Sequence, residues 1–386
     1  MRKAKRILVV TLSFGSGHVQ AARTIARELV RREPGAEVRV IDALSGCSSL
    51  FRAGYVWPYW LMVRYAPALW ESFFIRRVAR MKKSTAPEWA FRWGCSHVFE
   101  EIAGFNPDVI VAAEVAACEM AVMAKRERLT TARIINVITD YEAEPVWVKP
   151  EVDVYAVADE HVREQLCAWG APRERIVTCG IPTDPAFQVQ HSRRATRVCH
   201  GFDDDAPIVL LMGGGMGPTR MHEVAAHLCE SGEEMNILAV AGHDVRSLRR
   251  LNGLRARPPV SLRVLGWTED VAALMQASSL VVTKPGGLTV AEALSCSQPL
   301  VMFDPIPGPE LRNARRVAEA GAGLLTTSRT ETALVVLSLL RDEGLRIRMA
   351  TCARALAQPK AIDMIVSSII NEPSLAGEDL ARRMTA

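Results

Sequence analysis

Short runs of Val, Ile and Leu alternate with helix-length segments along nearly the whole chain, in two successive series. The first comprises Ile7–Leu12, Glu37–Ile41, Val109–Ala113, Arg133–Ile138 and Val152–Val157. The second comprises Ile208–Met212, Asn236–Ala241, Leu262–Leu265, Leu280–Thr283 and Leu300–Phe303. Strands apolar on both faces belong to parallel sheets covered by helices. After the first run, Val19, Ala22, Ile25, Ala26 and Leu29 fall on one helix face, with Arg23, Arg27, Glu28 and Arg31 opposite. Two such series predict an α/β protein built as two doubly wound, Rossmann-like domains facing across a cleft. The polar segment 188–205, QVQHSRRATRVCHGFDDD, is read as the linker between a first domain at 1–187 and a second at 206–358. Residues 359–386 read as a helix and tail that could return to the first domain.

Length agrees, because 386 residues exceed one typical core. A net charge of only +4 gives no field of the kind that marks a nucleic-acid binder, and none is expected as a partner. The nine cysteines form no CxxC pair, which suits a reducing compartment and argues against a disulfide framework or a zinc knuckle. The basic start MRKAKR precedes an apolar run too short for a secretory signal, and no stretch offers the roughly 20 apolar residues that span a bilayer. A cytoplasmic protein is expected, with membrane contact left open.

Three corners carry the chemistry: SFGSGH at Ser13–His18, MGGGMGPTR at Met212–Arg220, and VVTKPGGLTVAEAL at Val281–Leu294. Each falls where a strand ends and a helix begins, the edge at which open α/β sheets bind ligands and helix amides attract anions. Glycine there lets backbone approach a phosphate closely. The second corner is no dinucleotide fingerprint, since Pro218 stands at its third glycine position and the next strand ends at Ala241-Gly242 without an acid. A GxxxxGK[ST] loop is absent too. For the third corner alone a structural reading stays open: Thr289-x-x-Glu292 fits a capping box, Lys284 a solvated strand end, and Pro285-Gly286-Gly287 a tight turn.

TKPGGLTVAEAL with PLVMFDPIPGPELRNA at Pro299–Ala314 resembles the donor half of the monogalactosyldiacylglycerol synthases and bacterial diacylglycerol glucosyltransferases. These are cousins of the enzyme that adds N-acetylglucosamine to form lipid II. LSFGSGHVQAA at Leu12–Ala22, VITDYEAEPVWVKPEVD at Val137–Asp153 and GIPTDPAF at Gly180–Phe187 resemble that family's other motifs, in the same order. The resemblance runs from about Ile7 to about Leu325 and implies a GT-B fold. The second domain would hold a UDP-sugar, and the first, with Gly17 and Trp147, would receive diacylglycerol. It implies that Glu292 holds the ribose, that Gly214, Gly215, Gly286, Gly287 and Thr289 surround the diphosphate beside Lys284, and that Glu310 and Asn313 read sugar hydroxyls. Two positions depart from the family: Pro309 replaces a glutamine and Glu144 a histidine, which puts sugar or acceptor preference in question.

Nothing in the residues calls for a metal or a cofactor beyond the UDP-sugar substrate. His222-Glu223…His227 is spaced i, i+5, on different helix faces, and Asp203-Asp204-Asp205 sits in the linker. The acceptor hydroxyl needs a base, for which His18 leads, with Asp140 either orienting it or serving itself. The alternative for His18 is a hydrogen bond to the acceptor or a helix cap. Gly54–Lys83 holds three of the eight tryptophans, among them Trp57 and Trp60, followed by Arg76, Arg77, Arg80, Lys82 and Lys83. That combination suits a segment lying in anionic headgroups at the inner face of the cell membrane, or an aromatic cover over the core or a dimer surface. The expected activity is transfer of galactose or glucose to diacylglycerol with inversion. A relative using another acceptor, a UDP-sugar epimerase and a membrane-docked UDP-sugar sensor are the alternatives. Retention of His18 and Glu310 in different domains favours catalysis.

Overall fold

The computed structural model describes residues 4–81, 84–202, 205–214 and 219–371. Strands β1 (Arg6–Thr11), β2 (Glu37–Asp42), β3 (Val109–Ala112), β4 (Arg133–Val137), β5 (Val154–Val157) and β6 (Ile176–Thr178) form one six-stranded sheet in the order 2-1-3-4-5-6. Strands β7 (Ile208–Met212), β8 (Asn236–Val240), β9 (Ser261–Leu265), β10 (Leu280–Thr283), β11 (Leu300–Met302) and β12 (Gly323–Leu325) form a second, in the order 12-11-10-7-8-9. Neighbouring strands pair in parallel throughout, with β1 and β3, for example, in the register Ile7↔Val109. Alternation sends Leu8 and Val10 to one face and Ile7 and Val9 to the other, and both faces are buried. Strands β6 and β12, of three residues each, are the two that the sequence pattern did not mark.

Strand order reverses between β1 and β3 in the first sheet and between β7 and β10 in the second. Ligands bind outside the carboxyl ends of strands at such switch points, and here the two points face each other. The 188–205 segment is more ordered than its polarity suggests. It contains a helix, Arg193–Cys199, capped by Ser192 and packed on the helix Val271–Ala277. The helix Ala361–Ile370 crosses back to the first domain. There Ile362, Ile365, Val366 and Ile369 complete the core layer of Ile7, Val9, Ile25 and Leu29, and Lys5 Nζ bonds the carbonyls of Ile369 and Ile370.

Between β2 and β3 the first domain inserts a helical excursion. Its principal helices are Trp57–Tyr65, Pro67–Ala79, Glu88–Gly94 and Ser96–Phe105. Pro58 and Pro67 each lie in a first helical turn, where a missing N–H costs nothing. This is the aromatic, basic segment, and it has two distinct faces. Trp57 is 61% exposed, and Leu61, Tyr65, Leu69, Phe73 and Ile75 also stand outward, whereas Trp70 and Phe74 are buried.

Candidate active site

The corner residues converge on a cavity of about 170 Å³ between the two sheets' ligand edges. Its walls include Gly17, His18, Tyr59, Trp60 and Asp140 from the first domain and Gly214, Lys284, Gly286, Gly287, Thr289 and Glu310 from the second. A larger hollow, of about 530 Å³, lies in the first domain around Ser84–Glu88. It contains none of the corner residues, and its buried acid Glu119 is already bonded by Thr85 and Lys149.

His18 is held by local chain geometry. β1 runs into an extended Gly15, which caps the helix Ser16–Arg32, so His18 stands in that helix's first turn. Its Nδ1 shares a 2.9 Å hydrogen bond with the Thr139 hydroxyl. Burial lowers its pKa below the ordinary value, while the Asp140 carboxylate, the Ala113 carbonyl and Glu310 pull the other way. Burial prevails, which leaves a neutral imidazole at pH 7, the form able to take a proton. Asp140 follows β4 and accepts a 2.9 Å bond from Asn313 Nδ2 across the cleft.

On the donor side the helix Gly287–Ser295 starts directly after β10, with Gly286 as its cap and no side chain closing its first turn. The capping-box alternative therefore fails: Thr289 and Glu292 lie inside the helix rather than at its boundary. Glu292 accepts no hydrogen bond among the described residues, and burial, with the nearby Asp184 charge, pushes its carboxyl up to about 8. Glu292 lies further along that helix, faces Asp184, and does not line the cavity. Lys284 Nζ is not free; it donates to Glu310 Oε1 at 2.6 Å, while Glu310 Oε2 accepts from the Ile306 amide at 2.8 Å.

At Gly287 the two domains pass close together. A Cβ at this position would stand 2.0 Å from the Thr139 carbonyl oxygen. Beside it, Asn313 is fully buried and bridges the Tyr141 amide, Asp140 and the Pro285 carbonyl. Arg312 adds a 2.9 Å bond to Glu142. The domains thus meet in a closed arrangement, with polar groups of both committed to the contact.

Two family profiles cover the chain in tandem. Residues 18–183 match the family described as monogalactosyldiacylglycerol (MGDG) synthase, and 194–356 match the glycosyl transferases group 1. Among curated proteins, the processive diacylglycerol beta-glucosyltransferase of Bacillus cereus (strain AH187) is 25% identical over 374 residues, 96% of this chain and 95% of that one. The chain thus resembles the diacylglycerol glycosyltransferases over nearly its whole length. Acinetobacter baumannii MurG superposes with a TM-score of 0.63 at 17% identity, over 95% of this chain and 99% of that one. Anabaena HepE, solved in complex with UDP-glucose, gives 0.57 at 15% identity, over 98% and 99%. These likenesses carry the GT-B fold, and the two profiles in tandem with the full-length relative mark the chain as a glycosyltransferase.

Within that family frame, several residues named from the sequence sit elsewhere than expected. Trp147 is only 6% exposed and packs in the first domain's core, away from both cleft and surface. Arg77 is not a membrane-facing cation: it forms a buried ion pair with Glu144, whose carboxyl burial pushes upward, and lies 5.4 Å over the Phe74 ring. The glutamate that replaces the family's histidine thus has a charge partner in the aromatic excursion. Asn313 spends its amide on the domain contact and does not line the cavity. Trp60 lines the cavity rather than the outer face, while Arg76 and Arg80 are exposed. Gly215, Lys82 and Lys83 lie outside the described residues. His222 meets Arg250 and His227 meets Thr330, and among the described residues no cluster of His, Cys, Asp or Glu could hold a metal ion.

Sequence reading missed Thr139, although it adjoins Asp140, because a threonine before an acid carries no pattern of its own. It missed Tyr59 as well, whose ring meets Phe14 at 5.2 Å and Trp70 at 4.9 Å in edge-on contacts while lining the cavity. The stacked His243 and Trp267 rings, 4.3 Å apart after β8 and β9, add a flat surface at the donor domain's ligand edge.

Proposed function

We propose that this protein transfers a hexose from a UDP-sugar to the hydroxyl of diacylglycerol at a membrane surface, with inversion at the anomeric carbon. The observation that carries this reading is the single cavity that joins a neutral, oriented His18 of one domain to the Lys284–Glu310 pair of the other. In the donor-free state that pair neutralises itself. An arriving diphosphate takes Lys284 and the free amides of the helix Gly287–Ser295, which releases Glu310 for the sugar hydroxyls. Glu292 accepts the ribose hydroxyls, and the His243–Trp267 surface offers the base a stacking partner.

In the tautomer that directs Nδ1–H to Thr139, His18 Nε2 keeps a lone pair for the lipid hydroxyl's proton. The deprotonated oxygen attacks the anomeric carbon from the face opposite UDP, and the bond to the diphosphate breaks as the new one forms. Helix amides and Lys284 meet the charge that develops on the leaving group. An α-linked donor therefore gives a β-linked glycolipid. Glucose and galactose remain the two candidate sugars; the relative's name supports the first and the matching profile's description the second. No metal or cofactor takes part in this reading.

The outward row of Trp57, Leu61, Tyr65, Leu69 and Phe73, with Arg76 and Arg80 nearby, supports a peripheral dock on anionic lipid. No helix among the described residues is long and apolar enough to cross a membrane. The test is UDP release from UDP-glucose and UDP-galactose, with anionic vesicles that contain or lack diacylglycerol. Release that depends on diacylglycerol supports the proposal; release indifferent to it, or none, removes it.

A further inference from the structure

The helix Pro67–Ala79 belongs to the first domain, yet its buried side chains grip the second. Trp70 Nε1 donates to the Pro307 carbonyl at 2.9 Å. Phe74, four residues on and so on the same helix face, lies against Gly308. Gly308 has a φ of 101°, and a Cβ there would meet the Phe74 ring at 3.1 Å, so both its conformation and its neighbour demand glycine. The Arg312 guanidinium adds to the contact, 5.0 Å over the same ring.

The gripped turn is short and rigidly tied to the donor site. Gly308 caps the helix Pro309–Glu319, whose second residue is Glu310. The Ile306 amide, just before the turn, bonds Glu310 Oε2, and Glu310 Oε1 holds Lys284. A shift at Pro307–Gly308 therefore moves the carboxylate that faces the cavity. We propose that Trp70 is a positioning residue of the donor site. It acts across the cleft through the Pro307–Gly308 turn to place Glu310, so that sugar recognition is complete only while the helix Pro67–Ala79 is seated against the donor domain. This rests on the proposed role of Glu310 in reading the sugar. The same helix turns Leu69, Phe73 and Ile75 outward, so whatever seats on that face also bears on sugar recognition.

The experiment compares binding of UDP with binding of UDP-glucose and UDP-galactose by calorimetry, in the full chain and in two variants. Trp70→Phe keeps an aromatic ring while deleting the N–H that holds Pro307, together with part of the indole's volume. Gly308→Ala disturbs the same contact from the donor side. Both should leave UDP affinity within about twofold and weaken the preferred UDP-sugar on the order of tenfold, the size expected when one fixing hydrogen bond is lost. The affinity ratio between the two sugars should fall. A purely structural role would lower UDP and UDP-sugar affinity together and leave that ratio alone, and this result would overturn the proposal, as would a Trp70→Phe variant identical to wild type. Because binding is read without the lipid, failure of wild-type transfer to diacylglycerol is scored separately. Wild type that binds UDP-sugars no better than UDP would overturn both the role of Glu310 and that of Trp70.

Discussion

Adding one methyl group at Gly287 should separate the two domains. The Cβ of Gly287→Ala would lie 2.0 Å from the Thr139 carbonyl oxygen and 3.1 Å from Asp140 Oδ1. Ordinary van der Waals contact begins near 3.4 Å, and the obstructing atom is backbone rather than a pliable side-chain end. The domains must therefore withdraw by about 1 Å or more, a distance at which packed surfaces have lost much of their attraction. The 2.9 Å bonds from Asn313 to Asp140 and from the Tyr141 amide to Asn313 stretch with them. Two buried hydrogen bonds at about 1–1.5 kcal/mol each disfavour closure by roughly 2–3 kcal/mol, or on the order of 30- to 150-fold. Alanine retains the residue-287 amide, so UDP held by the donor domain alone should change little. The assay is kcat for glycolipid formation beside UDP affinity from calorimetry. Gly104→Ala is the matched control, because it lies on the helix Ser96–Phe105 away from the cavity and its Cβ would meet nothing within 4 Å. Wild-type kcat in Gly287→Ala, or a loss in Gly104→Ala just as large, would refute closure as the requirement.

His18→Ala should abolish transfer while UDP affinity stays near that of wild type. In the parent enzyme, burial keeps the imidazole pKa below 6.5, so kcat should hold level at neutral pH and fall only in acid, as the ring takes a proton. Asp140→Asn removes a charge that favours imidazolium and should move that acid limb to lower pH; complete loss of turnover would instead make Asp140 the base. Glu292→Gln should weaken UDP and every UDP-sugar alike, on the order of tenfold, with unchanged UDP affinity counting against the ribose contact. It should also flatten a pH effect on stability. The folded carboxyl holds its proton to about 8 while the unfolded one releases it near 4.5, so the wild-type thermal midpoint should decline between those values and the variant's should not. In liposome flotation, Arg76→Gln with Arg80→Gln should lose anionic-vesicle binding in a salt-sensitive way, about 1 kcal/mol per charge. Trp57→Ser with Leu61→Ser should lose it at any salt. Arg77→Gln should instead destabilise the fold by about 3 kcal/mol, since it strands the buried Glu144.

The two sheets were legible because strands such as β1, β3, β7 and β10 are apolar at successive positions, a pattern that survives without any partner in view; β2 and β9 show instead Val or Leu alternating with polar residues. The glycine corners were legible for a related reason: backbone that turns at a strand end and meets a ligand tolerates few residue types. The destination of the aromatic segment was not. Trp57 and Trp70 look alike in sequence, yet one is 61% exposed and the other, at 8%, lies against the opposite domain. Only helix phase and a partner from the second domain separate them. Arg77 beside Arg76 is the same case, since its partner Glu144 lies far along the chain. Lys284 and Glu310 were each visible as donor-site groups, but their pairing depends on the turn at Ile306–Gly308 and so on tertiary structure.

The central claim is transfer from a UDP-sugar to diacylglycerol with inversion, and the lipid product itself tests it most directly. The purified full-length protein is incubated with UDP-glucose or UDP-galactose and anionic vesicles containing diacylglycerol, and the extracted lipid is read by mass spectrometry and proton NMR. The expected product is a hexosyl-diacylglycerol with the large anomeric coupling of a β linkage, formed from at least one of the two donors and absent with His18→Ala. An α-linked product would contradict direct displacement. A consumed UDP-sugar with no lipid product would contradict diacylglycerol as the acceptor.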